Sequence, residues 1–446
     1  MPDNLRETFG EDFTWGVATS ALQTEGAHDK YGRSPSIWDQ FARRPFRIRR
    51  MDKPDLGIDF FHRYTEDIRL ARTLGFDAFR FSISWSRLMP GGEAKIDPRA
   101  VHFYNRVIDE CLKQGIEPWA TVYHWDLPSG LEDKGGWPDR GILKAFERYV
   151  TVCGTNFGDR VRNWIVLNEP MGFTALGYLF GIHAPGRRTL TGFFKAVHHA
   201  AICQAMGGRI LRTLVPGSNL GTALSFALVE PADQSPRNVA AGLRLDTVLN
   251  RLFLEPLMGM GYPVSDFPAL GLLEKHILPG DAEMLPFRFD FIGVQYYFRY
   301  IVRHNSLVPL IKASFVSPKR RGVPLTSLNF ESYPEGIYDV LRKVSGYHGI
   351  PDIIITESGA SFEDEFNEGR IADKQRIDYH SATLRAVKRA RDDGARIRGF
   401  FAWTLADNFE WSFGYSARFG LVYVDRSNMN RIIKDSGHWY RIQLFR

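Results

Sequence analysis

The chain has 446 residues, 44% hydrophobic and 13% aromatic, enough for a large core with rings left over for a ligand site. Its net charge of +6, from 57 basic against 51 acidic residues, is too mild and too spread for a nucleic-acid surface. No apolar run approaches the roughly 18 residues of a membrane span. The three distant cysteines, Cys111, Cys153 and Cys203, give neither a disulfide framework nor a zinc spacing, so packed, reduced thiols are expected.

Taken in order, Phe13 to Ala18 reads as a short first strand, and its early start leaves no room for a signal peptide, so a soluble, cytoplasmic protein is expected. An arginine-dense loop follows, with Arg43, Arg44, Arg47, Arg49 and Arg50. Helical spacing from Ile58 to Leu74 gives way to a strand at Phe76–Ser82, ending near Arg80. The unit then repeats. Helix 100–113 precedes strand 116–122, helix 140–157 precedes strand 161–167, and helix 193–214 precedes strand 220–226. A less regular region leads to strand 289–295, and a basic stretch from Arg303 to Leu328 reads as a long excursion on the face where the strands end. Helix 333–344, the strand from Ile353, helix 377–392, strand 397–402 and helix 434–444 complete the chain.

Eight strands alternating with helices predict a single (β/α)8 barrel over 1–446 with long βα loops. A doubly wound sheet competes, but no G-x-G-x-x-G follows the first strand. Two strands end alike. Ile353-Ile354-Ile355-Thr356 runs into Glu357-Ser358-Gly359, and Trp164-Ile165-Val166-Leu167 runs into Asn168-Glu169-Pro170. A charge is costly inside a core, so each carboxylate belongs at the open end of its strand, with Gly359 freeing the backbone to turn. A closed parallel barrel brings such distant ends to one face, because all its strands end there.

Polar and aromatic residues gather after the other strands as well. Gln23, Arg80, His124, Trp125, Gln295, Tyr297, Trp403, Glu410 and Trp411 join Asn168 there. Amides, imidazole and carboxylates match hydroxyls that both donate and accept, and indoles match the C–H face of a pyranose. Two carboxylates flanking one bond are what glycoside hydrolysis requires. Arg80 and Tyr297 should hold Glu357 ionised, whereas Glu169, with an apolar approach and a neutral amide beside it, suits an acid of raised pKa.

These residues resemble glycoside hydrolase family 1, the retaining β-glucosidases and their relatives, over the full length from Phe13-Thr14-Trp15-Gly16 to His438-Trp439-Tyr440. The motifs that carry the resemblance are Phe81-Ser82-Ile83-Ser84-Trp85-Ser86-Arg87, Tyr123-His124-Trp125-Asp126-Leu127-Pro128, Leu167-Asn168-Glu169-Pro170, Ile355-Thr356-Glu357-Ser358-Gly359 and Asp407-Asn408-Phe409-Glu410-Trp411. The resemblance implies Glu169 as acid/base and Glu357 as nucleophile. It also implies Gln23, His124, Trp125, Asn168, Glu410 and Trp411 around the sugar hydroxyls, Trp403 as a stacking floor, and no metal or organic cofactor.

The chain departs from the family's usual residues at Gln295 and Ser358 (Asn is usual at both), at Leu22 (often aromatic) and at Phe330, where a Trp usually forms the aglycone platform. Gln295 and Ser358, on neighbouring strands, are expected to be one coupled exchange. The arginines at 43–50 and the basic stretch 312–321 are expected to flank the entrance, where an acidic aglycone would profit. The activity expected is release of terminal β-linked glucose, or galactose or fucose, from a small glycoside or short oligosaccharide, without nucleic-acid or membrane partners. A transglycosylase and a silent sugar-binding barrel are the alternatives. Retention of both carboxylates speaks against the second. Glu410 would repel a phosphate, which speaks against a 6-phosphoglycosidase.

Overall fold

The computed structural model describes residues 4–92, 95–367 and 369–445. Eight parallel strands form a closed barrel: β1 (Thr14–Ala18), β2 (Ala78–Ser82), β3 (Glu117–Tyr123), β4 (Asn163–Asn168), β5 (Asn219–Pro231), β6 (Phe291–His304), β7 (Asp352–Ser358) and β8 (Ile397–Trp403). Each pairs with its neighbour in sequence, and β1 closes on β8 from Thr14↔Gly399 to Ala18↔Trp403. The helices between them are α1 (Phe60–Thr73), α2 (Pro98–Lys113), α3 (Gly141–Phe157), α4 (Leu190–Leu214), α5 (Pro236–Asp246), α6 (Gly336–Ser345) and α7 (Lys374–Asp392), with α8 (Asp435–Leu444) last.

Side-chain size explains how the barrel fills. Ala18, Ala78, Trp119, Ile165, Ala223, Phe291, Ile354 and Phe401, one from each strand, form a cluster separate from the larger one between strands and helices. Three rings occupy most of that interior: Trp119 lies 4.9 Å from Phe401 and 5.4 Å from Phe291. Small residues make way for them, since a β-carbon on Gly16 or on Gly221 would sit 2.2 Å from the ring of Phe401 or Phe291.

The strand limits differ from expectation mainly at β5 and β6. Both leave the barrel and continue as a paired ribbon as far as Pro231↔Val302, to which Ala313–Phe315 adds an antiparallel strand. The ribbon is half-buried, and α5 packs on it through Ala241 and Leu245. The excursion at 303–328 therefore begins as an extension of the sheet, through His304 and Ala313–Phe315, and continues as a short helix, Pro318–Arg321, and loop. Cys111, Cys153 and Cys203 are buried free thiols in α2, α3 and α4, and burial pushes all three well above the usual range.

A buried ionic network ties the last quarter of the fold together. Lys434, just before α8, donates to Asp407 in the loop after β8 and to Asp364 in the loop after β7, each at 2.9 Å. Arg376 of α7 bonds Asp364 and Asp373, and Asp373 accepts from the backbone N–H of Ser436 at 2.7 Å. Among the described residues no helix is long and apolar enough to cross a membrane, and no group of three or more His, Cys, Asp or Glu could hold a metal ion.

Candidate active site

Glu357 ends β7 in register with Gln295 of β6. Its Oε1 accepts from Arg80 Nη1 at 2.5 Å, and its Oε2 accepts from the Tyr297 hydroxyl at 2.9 Å. Arg80 is wholly buried and held on every side: Nε donates to Thr121 (3.0 Å), Nη1 also to the Thr356 carbonyl (3.0 Å), and Nη2 to Asn168 Oδ1 (2.6 Å). Asn168 Oδ1 accepts again from Gln295 Nε2 at 2.7 Å, while its Nδ2 faces His124 Nε2 at 3.0 Å. Because that nitrogen accepts, His124 carries its proton on Nδ1. Burial, then the nearby Arg80 charge, hold His124 far below the usual histidine pKa, so it is a neutral donor.

The carboxyl groups compete for one cation. Burial and the charge of Glu357 raise Glu169 to about 8, opposed by a hydrogen bond from Ser225 and by Arg80. Burial raises Glu357 too, but Arg80 and hydrogen bonds from Tyr297, Arg80 and Gln295 act against it. Glu410, with hydrogen bonds from Trp403 and Gln23, is pushed to about 8 by burial and by Glu357. Arg80 contacts Glu357 directly, so the negative charge resides there first, and Glu169 keeps its proton at neutral pH.

Strain concentrates at the same place. Glu169, Trp125 and Trp411 are non-glycine residues at φ of 46°, 76° and 48°, a region costing about 1–3 kcal/mol each. Glu169 takes this conformation where β4 stops, and Pro170 opens a short helix, Pro170–Thr174. Gly359 serves otherwise than expected. It is needed for clearance, since a β-carbon there would lie 1.9 Å from the Trp403 carbonyl oxygen.

The walls are aromatic. Trp403 lies 6.0 Å from His124, near-parallel at 22°; Trp411 lies 4.6 Å from Trp125 and 4.7 Å from Trp38. Phe330 meets Phe298 edge-on at 4.9 Å and clusters with Tyr297 and Trp403. Two buried polar atoms, His124 Nδ1 and Gln295 Oε1, have no partner, and offer a ligand one donor and one acceptor.

The structure brings all the predicted site residues together, with amendments. Trp125 spends its indole N–H on the Asn168 carbonyl at 2.9 Å, so it supports the wall and cannot hold a hydroxyl through that group. Gln23 is already bonded: its Nε2 donates to Asn408 (3.2 Å), the Phe409 carbonyl (3.0 Å) and Glu410 (3.4 Å), and its Oε1 accepts from Ser20 at 2.5 Å. Ser358 shares no space with Gln295. It faces away from Glu357, toward Tyr379 of α7 on the outside of the barrel, as alternation along a strand demands. Leu22 is buried beside a small cavity lined by Glu25, Arg33 and Ser84. Unforeseen were Thr121 and Ser225, whose hydroxyls brace Arg80 and Glu169, and the Trp38 and His183 rings behind Trp411. A lone Ser or Thr within a strand carries no signal of that kind.

A parallel barrel with a cation-held carboxylate and a protonated one facing each other among indoles defines a two-carboxylate glycoside-hydrolysing site. Residues 5–444 match the model of Glycosyl hydrolase family 1. "Beta-glucosidase A" of Thermotoga maritima is 41% identical over 436 residues, 97% of this chain and 96% of the relative, and "Beta-glucosidase A" of Acetivibrio thermocellus is 36% identical over 97% of each. The Thermotoga maritima β-glucosidase in complex with deoxynojirimycin superposes with a TM-score of 0.92 at 40% identity, covering 97% of both chains. A psychrophilic β-glucosidase of Micrococcus antarcticus gives 0.93 at 36%, covering 99% of this chain and 98% of that one. The chain belongs to glycosyl hydrolase family 1 and is an O-glycosyl hydrolase.

Proposed function

We propose that Glu357 and Glu169 cleave β-glucosidic bonds by double displacement, Glu357 as nucleophile and Glu169 as acid and then base. The chain is a retaining β-glucosidase. The observation that carries the assignment is the asymmetry of the pair: Arg80 and Tyr297 bind both oxygens of Glu357, while Glu169 is raised to about 8.

In the first step Glu357 attacks the anomeric carbon while Glu169 protonates the departing oxygen. The ester formed on Glu357 carries no charge. The electrostatic contribution that raised Glu169 then disappears, its pKa falls, and it takes a proton from the incoming water. One charge thus sets both roles of the second carboxyl. His124 Nδ1–H, Gln295 Oε1 and Glu410 are the groups available to the sugar hydroxyls, with Trp403 beneath the ring and Phe330 on the aglycone side. Glucose is the glycone favoured, and small aryl glucosides or short oligosaccharides are the substrates. Cytoplasmic operation fits such substrates.

Glu357→Ala should abolish turnover of every glycoside. Glu169→Ala should depress alkyl glucosides far more than nitrophenyl glucosides, whose leaving group needs little protonation. Equal losses on both would remove Glu169 from the acid role. Proton NMR should find the β-anomer first, and an α-anomer released first would overturn double displacement.

A further inference from the structure

The two arginine-rich stretches of the sequence part company in the structure. At 312–321, Arg321 is bound to Glu331, which also pairs with Arg299, so this end of the stretch is neutralised. At 43–50 the charges stay open. Arg43 pairs with Asp55, but Arg44, Arg47, Arg49 and Arg50 have no carboxylate partner among the described residues, and neither does Arg188 in the loop after β4. The surrounding sequence could not supply one: residues 40–51 and 170–229 contain no Asp or Glu. Of the nearby acids, Glu132 pairs with Arg187, and Asp52 turns to the backbone N–H of Tyr415 and forms no ion pair with these arginines.

These cations converge on one loop. Arg44 donates to the Pro185 carbonyl at 2.9 Å, Arg47 to the Gly181 carbonyl at 3.4 Å, and a β-carbon on Gly181 would lie 2.8 Å from Arg188 Cγ. Three guanidinium groups gathered within one short loop repel one another unless an anion joins them. Apolar side chains stand among them with little cover: Phe46 is 91% exposed, Phe180 54% and Ile182 51%. The patch is joined to the sugar site. The Ile182 carbonyl accepts from Ser412 at 2.9 Å, and the next residue, Phe413, meets Phe330 edge-on at 6.2 Å, which sets the patch beside the aglycone wall.

Resting on the glucosidase reading above, we infer that the loops 43–50 and 180–188 form a leaving-group subsite for an apolar aglycone bearing a carboxylate. The exposed Phe46, Phe180 and Ile182 cover its hydrocarbon, and the unpaired arginines meet its charge, in the planar fork-to-carboxylate geometry that guanidinium favours. The neutral glycone pocket is left unchanged by this preference. Discrimination therefore comes entirely from the departing half of the substrate.

The test compares 4-carboxyphenyl β-glucoside with its methyl ester, which has a similar leaving group and no charge. In the unmodified enzyme, kcat/KM for the carboxylate should fall about three- to tenfold between 20 and 300 mM salt, while the ester changes less than twofold. Arg47→Gln with Arg188→Gln should remove most of that salt dependence and leave the ester unaffected; Arg47→Lys with Arg188→Lys should keep most of it. Phe46→Ala should raise KM for both aryl substrates and not for methyl β-glucoside. Cleavage of both substrates with equal salt responses overturns this inference alone. Cleavage of neither overturns the glucosidase reading, and this inference with it.

Discussion

Tyr297→Phe isolates the electrostatic support of the proposed nucleophile. The phenol donates to Glu357 Oε2 at 2.9 Å, and burial together with Glu357 and Glu169 raises its own pKa far above the usual range, so it is a donor at every working pH. Phenylalanine keeps the ring in its cluster with Trp403 and Phe330 and removes only the hydroxyl. Arg80 still holds Oε1, but Oε2 loses its donor. A hydrogen bond to a charged group contributes about 1.5–3 kcal/mol, and 1.36 kcal/mol corresponds to one pKa unit. Removing it disfavours the ionised form, so the pKa of Glu357 rises by about 1–2 units. The acidic limb of kcat/KM on 4-nitrophenyl β-glucoside should move to higher pH by that amount, while the alkaline limb, set by Glu169, stays near 8. An acidic limb that does not move would show that the hydroxyl plays no part in ionising Glu357.

Glu410→Gln should cost activity and add stability. The folded-state pKa is about 8 against an ordinary 4.5, so below 4.5 the group is neutral in both states. Between 4.5 and 8 the unfolded chain gives up a proton that the folded chain keeps, and stability is lost with each unit. The gain in Tm from the variant should therefore be small at pH 5 and larger at pH 8.5; equal gains would refute the shift. Gln295→Asn should lower kcat/KM about tenfold or more by withdrawing an amide from Asn168, whereas Ser358→Asn should cost about 1–3 kcal/mol of stability by overpacking. Their effects on turnover should add, and a coupling above about 1 kcal/mol would return them to one shared space. Lys434→Met leaves Asp364 and Asp407 facing each other without their shared cation and should cost about 3–5 kcal/mol in thermal unfolding, with part recovered in Lys434→Met/Asp407→Asn.

The barrel was legible because its strands are buried on both faces and read as unbroken apolar runs; Ile353-Ile354-Ile355 needs no partner to be recognised. The outer halves of β5 and β6 were hidden for the opposite reason. Residues such as Arg299 and Arg303 interrupt the run, and it is pairing, of Arg299 with Leu228 and of Arg303 with Ser314, that keeps them extended. Within the site, the residues at strand ends could be named, but their division of labour could not. Whether Trp125 turns its N–H to a ligand or to Asn168, and whether Ser358 faces in or out, depends on register and on neighbours far away in the chain. Arg376 and Lys434 offered least, since a charge on a helix or at its entrance reads as a surface charge until the three-dimensional packing buries it.

That ionic network also gives the molecule an order of assembly. Glu410 and Trp411 stand on the loop whose Asp407 is neutralised by Lys434, and β1 receives its second neighbour only when β8 arrives. A chain emerging from the ribosome holds Glu169, Arg80 and Glu357 long before residues 397–434 are free. It then carries an open sheet edge at β1 and a glycone pocket without its floor. Sugar binding on a nascent chain should thus begin abruptly, once residues 397–434 are released, and stalled chains ending before Lys434 should remain unable to retain a glucose mimic even where most of the barrel has formed.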